Sequence, residues 1–443
     1  MKLPEHIAFC IEQLEGLGYE TYCVGGCVRD YVLGLIPHDY DLCTAATPEK
    51  IKEVFASFPL VLSGEKHGTV SVVIQHELVE ITTFRTEGSY TDGRHPDWVR
   101  FVPTIEEDLS RRDFTVNAMA YSPTRGFADP FGGREDLKSK TLRAVGDPRA
   151  RFTEDALRIL RGVRFGVRFG LTPTAETENA MLALAPLMDK LARERVLDEL
   201  CKLLPLAKAA DLLRYAPILT QVIPELKPSL GFDQRTPHHI HDVFTHTAHV
   251  VEAVPPEPAL RLAALLHDIG KPATFTLDEA GCGHFYGHDE LSADMANDIL
   301  RRLKASNELR NRVVAVIRNH MKPLLPDKRS LRRRMAKYGT EGIWDLLALQ
   351  RADRIGTGTG DTTALEEAEA LIREILAENA CLSLKDLAVD GRDLMALGYS
   401  GKAIGNCLNT LLEQVLDERL HNEKQALLAA AKENFRILLH RRK

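Results

Sequence analysis

The sequence predicts an α+β protein, a small mixed sheet near the start followed by a mostly helical remainder. Two observations carry that expectation. Every run with strand character falls within about the first 120 residues, where short β-rich stretches are bounded by turn residues. From about residue 150 onward, apolar positions recur at helical spacing, as in ALRILRGVRFGVRF, LARERVLDELCKLL, ALRLAALLHDIG, SADMANDILRRLK and ALEEAEALIREILAE. In chain order, HIAFCIEQLEGLG reads as a short helix ended by glycine. TYCV reads as a strand that runs into Gly25-Gly26, and VRDYVLGL as the helix after it. Beyond Pro37, HDYDLCTA alternates in strand fashion. Thr47-Pro48-Glu49 opens a helix through PEKIKEVFASF, and HGTVSVVIQ with LVEITTFR reads as a hairpin. Linker signals lie at 224–237, 323–330 and 356–363. With strand signals nearly vanishing from about residue 150, the signals at 224–237 and 356–363 divide the chain into residues 1–145, 146–225, 238–360 and 361–443.

The chain has 443 residues, 44% hydrophobic and 27% charged. At ~150 residues per domain that length fits two to four domains, and the composition excludes wholesale disorder and collagen-like repeats. No apolar run approaches the ~18 residues of a membrane-spanning helix, and MKLPEHIAFC lacks the apolar core of a secretory signal. Eight cysteines without an export signal fit the reducing cytoplasm. The net charge of −6 hides an asymmetry: residues 301–337 hold 13 Lys or Arg and two acids, which leaves the rest of the chain strongly acidic. Such a run suits either contact with a polyanion or a solvated helix face.

Asp39 and Asp41 stand two apart on the expected strand, so both side chains would share a face. Two neighbouring carboxylates repel unless a cation lies between them, and hard oxygen ligands suit Mg²⁺. Upstream, Gly25-Gly26 between strand and helix would let backbone N–H groups approach a phosphate, with Arg29 adding a charged contact. A phosphate cradle ahead of a metal-binding strand is what phosphoryl or nucleotidyl transfer needs.

GGCVRDYVLGLIPHDYDL resembles the opening motif of the class II tRNA nucleotidyltransferases and bacterial poly(A) polymerases, in the polymerase β-like superfamily. RRDFTVNAMAY at 111–121, EDALRILRGVRF at 154–165 and the loop RTEGSYTDGRHPDWVRF at 85–101 match further motifs in the family's order. The resemblance implies a nucleotidyltransferase head on residues 1–145, a helical neck on 146–225 and a tRNA-binding body or tail on 361–443. It implies that Asp39 and Asp41 hold catalytic Mg²⁺, with Glu80 as third carboxylate. Gly26, Arg29, Arg112 and Asn117 would order the nucleotide and its triphosphate. Asp155 and Arg158 would read the Watson–Crick edge of cytosine or adenine in place of a template, and Arg161 and Arg164 would continue that face towards phosphate. The implied reaction builds or repairs the CCA end of tRNA from CTP and ATP and releases pyrophosphate. An enzyme adding only the terminal A and a poly(A) polymerase are the alternatives within the family. A phosphohydrolase whose first domain merely binds RNA is the alternative outside it.

A second constellation follows. His246, His267-Asp268 and Asp353, with His288 and His320 around them, form an order that resembles an HD-superfamily phosphohydrolase domain on 238–360. His246, His267, Asp268 and Asp353 match the usual metal ligands, and His288 and His320 match accessory positions. Imidazole and carboxylate together suit Ni²⁺, Co²⁺ or Mn²⁺. The implied substrate is a 2′,3′-cyclic phosphate or a phosphomonoester. The competing reading is a scaffold that has kept the fold without the activity.

Overall fold

The computed structural model describes the whole chain except residues 38, 89–97, 237–239, 359 and 441–443, and the side chains of 437–440. The chain forms two compact units, one of Met1–Lys227 with Arg302–Ala305 and one of Pro228–Arg301 with Ser306–Lys443.

The first unit carries the sheet. Its strands are β1 (Thr21–Val24), β2 (Asp41–Thr44), β3 (Leu60–Val61), β4 (Thr69–Ile74) and β5 (Glu77–Thr83). A separate ribbon, β6 (Arg85–Glu87) and β7 (Val99–Phe101), precedes the last two sheet strands, β8 (Ala120–Ser122) and β9 (Gly126–Ala128). The sheet order is β3-β4-β5-β2-β1-β8-β9. Only the β2–β5 pair is parallel; the other neighbours run antiparallel, so the sheet is mixed, as expected. The hairpin between β4 and β5 closes through Gln75 and His76, with φ of 52° and 69°. Two positive φ values in succession give the tight turn whose twist matches the strands, here without the usual Asn-Gly. One face of the sheet buries Tyr22, Val24, Cys43, Phe84 and Ala120 against Ile105 and Leu109 of the helix Ile105–Ser110. Alternation in β1 and β2 puts Cys23 and Leu42 on the opposite face, where both are fully buried.

β1 runs into Gly25, which turns the chain into the helix Gly26–Val32 with φ 71°. The positive φ calls for glycine there, while the Arg112 guanidinium that a Cβ would meet at 2.8 Å is the mobile end of its side chain. One expected strand is shorter than its pattern. β2 begins at Asp41, and Asp39 lies in the connection before it, so the two are not neighbours on one strand face. The alternating segment follows Pro37 and includes Asp39, residues that favour turns over ladder pairing. Of the loop expected at 85–101, only the flanking β6–β7 ribbon lies among the described residues.

Beyond the sheet the unit is mostly helical, led by Pro148–Glu154, Leu157–Phe169, Ala175–Leu184 and Arg193–Leu203, with one short parallel ribbon joining Thr141–Leu142 to Thr172–Pro173. Among the described residues the second unit's regular elements are helices, save for a two-residue ribbon joining Thr276–Leu277 to Gly283–His284. Its long helix Lys328–Gly356 bends at Gly339, where φ is 72°. The two arms bury Leu331 and Met335 on one side of the bend and Ile343, Leu346 and Leu347 on the other, against Ala368, Ile372 and Ile375 of the helix Thr363–Ala377. The last helices, Gly391–Ala396, Lys402–Leu416 and Lys424–His440, close a core of their own around Leu394, Leu411 and Leu427. Among the described residues no helix is long and apolar enough to cross a membrane.

The basic run at 301–337 is not an open patch. Within the second unit, Arg312 pairs with Glu257, Glu341 and Asp345, and Arg318 with Glu290 and Asp294. Lys328 pairs with Glu374 and Glu378, and Arg332 with Glu378 and Glu418. Arg329 and Arg333 both grip Asp417 at 2.7 Å. The charge that the sequence concentrates is met by acids from distant parts of the chain, which no local window contains.

Candidate active site and metal centre

A cleft of about 400 Å³ in the first unit gathers most of the residues that the motifs nominate. Gly26, Arg29, Asp41, Arg112, Asn117, Asp155, Arg158 and Arg161 all line it. Asp41 stands at the first position of β2 and stays open to water. The walls around it raise its pKa by desolvation and Asp39 raises it further, while Arg112 opposes both. A carboxylate placed so that its own charge is disfavoured is one that a bound cation would relieve. The donors here are carboxylate oxygens, which suits a hard divalent ion. Asp39 and Glu80 are exposed and do not line the cleft. The parallel register aligns Leu42 with Ile81, so Glu80 precedes that rung on β5 as Asp41 does on β2.

The arginines are held by a network that the motifs alone do not reveal. Arg29 donates to Asn117 Oδ1 at 2.6 Å and to Asp30 at 2.7 Å, and its guanidinium lies 4.4 Å from the centre of the Phe169 ring. Asn117 Nδ2 donates in turn to Asp113 Oδ1 at 3.0 Å, and Arg161 donates to Asp113 Oδ2 at 2.8 Å. Buried Asp108 receives Arg111 at 3.0 Å and Arg112 at 3.4 Å, which aims both across the cleft.

Asp155 does not share a helix with Arg158. It sits at the break between Pro148–Glu154 and Leu157–Phe169, with extended φ and ψ of −143° and 102°. There its Oδ1 accepts from the Leu157 N–H at 3.0 Å and its Oδ2 from Arg195 at 2.8 Å. Arg158 donates to Glu154 at 2.8 Å and to the carbonyls of Arg151 and Arg111. Each carboxylate oxygen keeps a lone pair, and the guanidinium keeps N–H groups beyond these bonds. Arg164 turns the other way, bonded at 2.6 Å to Glu199, with both side chains buried. Glu87, Arg111, Asp113, Phe165 and Arg195 complete the cleft wall and were not nominated from sequence. Arg195 lies in the helical run LARERVLDEL, where nothing distinguishes it from a surface arginine.

Asp113 anchors this network. Burial alone would raise its pKa, but the Arg161 guanidinium and the hydrogen bonds from Asn117 and Arg161 hold it down to about 2. A carboxylate depressed in the folded state stabilises above its ordinary titration range and loses that contribution as pH falls towards the depressed value. Between pH 5 and pH 2 the protein is therefore expected to lose about 2 kcal/mol through this group, at about 1.4 kcal/mol for each tenfold change in proton affinity. Asp113→Asn removes that pH-dependent part, and denaturant titrations of both proteins at pH 5 and pH 2.5 measure it.

The second unit brings its six nominated residues together. His246 Nε2 lies 2.9 Å from Asp353 Oδ1 and 3.5 Å from Asp268 Oδ2. His267 Nε2 lies 3.3 Å from Asp268 Oδ2 and 3.6 Å from Asp353 Oδ1. His246, His267 and Asp268 are almost wholly buried on the helices Val243–Ala253 and Pro258–Leu266 and at the end of the latter, and Asp353 comes from the arm beyond Gly339. Burial would lower the His267 pKa, but Asp268 and Asp353 raise it to about 10. His320 falls to about 4 through burial and the charge of His267. The donor set, two imidazoles and two carboxylates converging within 4.8 Å, fits a divalent transition metal.

Family models match three stretches: the Poly A polymerase head domain at residues 21–143, the RNA and SrmB-binding site of polymerase A at 170–230, and tRNA nucleotidyltransferase domain 2 at 286–431. A CCA-adding enzyme of Ligilactobacillus salivarius is 33% identical, over 95% of this chain and 94% of its own length. One from Levilactobacillus brevis is 34% identical, over 97% and 98%. The chain belongs to the CCA-adding enzyme family. It is a nucleotidyltransferase, as its motifs imply. The fold agrees with that of a solved CCA-adding enzyme of Bacillus stearothermophilus in complex with CTP, with a TM-score of 0.75 and 28% identity over the full length of both chains. The CCA-adding enzyme of Thermotoga maritima, solved with tRNA, shares the fold at a TM-score of 0.56. The domain 2 match overlaps much of the segment that resembles an HD domain, so the metal reading there rests on the geometry of its own side chains.

Proposed function

We propose that the first unit adds nucleotides without a template to the 3′ end of tRNA, completing CCA from CTP and ATP. The observation that carries this reading is the single cleft where Asp41, Arg29 and Arg112 meet the Asp155–Arg158 pair. Asp41 would hold the divalent cation from the cleft wall, with Asp39 and Glu80 turning towards it from exposed positions outside that wall, and Mg²⁺ fits these oxygen donors. Bound there, it supplies charge neutralisation on the transferring phosphoryl group and activation of the attacking 3′-oxygen. Arg29 and Arg112 grip the triphosphate, and Gly26 lets its backbone approach closely. Asn117 fixes the Arg29 guanidinium.

Asp155 accepts from the exocyclic amine of cytosine or adenine, and Arg158 donates to the neighbouring ring acceptor. Uracil and guanine present the reverse pattern at those positions and leave both side chains unpaired. Arg161 faces the phosphates, whereas Arg164 serves by bracing its helix through Glu199. The head, neck, HD and tail divisions at 1–145, 146–225, 238–360 and 361–443 follow these roles. Eight unpaired cysteines and a tRNA substrate support action in the cytoplasm. The test is incubation with tRNA transcripts lacking the whole CCA, the last two residues or only the A, with CTP and ATP singly and together. Growth of all three to CCA supports the reading. Extension of the last transcript alone would make this an A-adding enzyme, and long A tails would make it a poly(A) polymerase.

The buried His-Asp cluster favours a second activity, hydrolysis of a 2′,3′-cyclic phosphate or a phosphomonoester with Ni²⁺, Co²⁺ or Mn²⁺ bound by His246, His267, Asp268 and Asp353. His267→Ala with Asp268→Ala is expected to abolish that hydrolysis and to leave CCA addition in Mg²⁺ within about threefold, because the two donor sets share no residue. Absence of hydrolysis by the wild type with any of these metals would make the cluster a scaffold.

A further inference from the structure

We propose that Asp278, Cys282 and His284 form a zinc site at the mouth of a cleft in the second unit, sharing no residue with the buried histidine-aspartate centre. One atom from each side chain, a carboxylate oxygen, a thiol sulfur and an imidazole nitrogen, lies within 4.8 Å of the other two. Sulfur, nitrogen and oxygen donors together suit Zn²⁺, which takes all three in a tetrahedral shell. Asp278 Oδ2 and His284 Nε2 already stand 2.9 Å apart. Two such ligands at ~2.0–2.1 Å from one zinc stand about 3.3–3.4 Å apart, so a small side-chain rotation admits the ion. None of the three is a nominated ligand of the hydrolytic centre, and the site stands or falls apart from that activity.

A short piece of chain holds the three side chains together. They lie on and after the turn of the ribbon that pairs Thr276 with His284 and Leu277 with Gly283. Asp278 Oδ1 accepts from the N–H of Ala280 at 3.0 Å and from that of Cys282 at 2.8 Å. The Asp278 N–H donates to the Cys282 carbonyl at 3.0 Å, and Gly281 turns the chain with φ 79°. Oδ1 is thereby occupied, Oδ2 faces His284, and Cys282 is brought back beside both. The contact with His284 and the Cys282 N–H hold the Asp278 carboxyl below its ordinary range, which keeps it an anionic ligand at neutral pH.

The thiol separates this group from an ordinary turn closed by an aspartate and a histidine. Six of the eight cysteines are buried, where a thiol serves as a small apolar side chain. Cys282 is only half-buried, is not in a disulfide, and stands beside an imidazole and a carboxylate. A ribbon of two residue pairs is also too short to be firm by its own ladder. Zinc held by Asp278 before the return strand and by His284 at its end supplies the missing cross-link, and the exposed side of the turn leaves the fourth position to water. Cys282, His284 and Tyr286 line one lip of a cleft of about 760 Å³ that Asp268 and Asp353 also line. The Tyr286 ring, 78% exposed, stacks on His284 with planes 9° apart. Zinc on His284 thus sets the orientation of an aromatic ring at the cleft mouth.

The full-length chain, freed of metal and kept reduced, is titrated with Co²⁺ as the spectroscopic substitute for Zn²⁺. Thiolate bound to Co²⁺ gives a near-ultraviolet charge-transfer band that nitrogen and oxygen ligands do not give. Neither the buried histidine-aspartate centre nor Asp39 and Asp41 can contribute to it. The wild type is expected to show the band, Zn²⁺ to bleach it, and Cys282→Ser to lose it. His284→Ala is expected to weaken Co²⁺ binding at this band by about tenfold or more. Absence of the band from the wild type, its persistence in Cys282→Ser, or unchanged affinity in His284→Ala overturns the site. Should a variant fail to fold by circular dichroism, alkylation of the unsubstituted chain decides, because only the free thiolate attacks iodoacetamide. Zn²⁺ is expected to slow alkylation of Cys282 by about tenfold and to leave that of half-buried Cys201 unchanged. Equal rates at Cys282 with and without Zn²⁺ refute the site.

Discussion

Asp41→Ala lowers nucleotide addition by about 10³-fold or more, the scale lost when charge on a transferring group goes uncompensated in a pre-organised site. The fold survives, because Asp41 opens β2 at the water-accessible end and, among the described residues, no buried hydrogen-bond partner depends on its carboxylate. The loss falls on kcat rather than on the KM for CTP, since Arg29 and Arg112 keep their own anchors in Asn117, Asp30 and Asp108. Single-turnover addition of CTP to tRNA in Mg²⁺ measures it. Activity within tenfold of wild type would remove Asp41 from the catalytic centre. Asp39→Ala is expected to act in the same direction, and to lower the pKa of Asp41 by taking away a neighbouring negative charge.

The second large effect concerns base choice. Asp155→Ala and Arg158→Ala each remove one half of the proposed base-reading pair, and the unpaired polar edge then costs about 1–3 kcal/mol, or ~5- to 150-fold in discrimination. Because Asp155 is steadied by Arg195 and Arg158 by Glu154, the wild-type pair meets the base with little reorganisation left to do. The ratio of kcat/KM for CTP and ATP to that for UTP and GTP is the readout. Arg158→Lys should fail to restore it, since an ammonium cannot reproduce the two-pronged donor geometry of a guanidinium. Unchanged exclusion of UTP and GTP in both alanine variants would move selection to other residues.

Much of this site was legible because its parts are local. Gly25-Gly26, Arg29, Asp41, Arg112, Asn117 and the Asp155–Arg158 pair lie in short stretches whose order survives any change in packing, and the cleft collects them. Strand and helix types in the first unit were legible for the same reason, since periodicity of two or of 3.6 is a nearest-neighbour property. What stayed hidden depends on long-range pairing. Arg195 joins Asp155 across 40 residues, Arg161 joins Asp113 across 48, and Arg164 is drawn from the phosphate side to Glu199 across 35. The register by which Asp39 falls outside β2 is set by pairing with β1 and β5, not by the alternation of its own segment. The six histidine and aspartate positions of the second unit were recognisable by order, but the convergence of His246, His267, Asp268 and Asp353 on one point is visible only in three dimensions.

The acid-locked arginines of the long kinked helix carry a consequence for mutational robustness. Asp417, whose side chain is only 4% exposed, is met by Arg329, Arg333 and Arg419 at once. Three donors on one acceptor make each arginine individually dispensable: deleting Arg329 or Arg333 leaves the carboxylate still served. The acceptor has no such backup. Replacing Asp417 takes the shared partner from three water-exposed arginines at once, so tolerance to change at this seam is lopsided, wider on the basic side than on the acidic one.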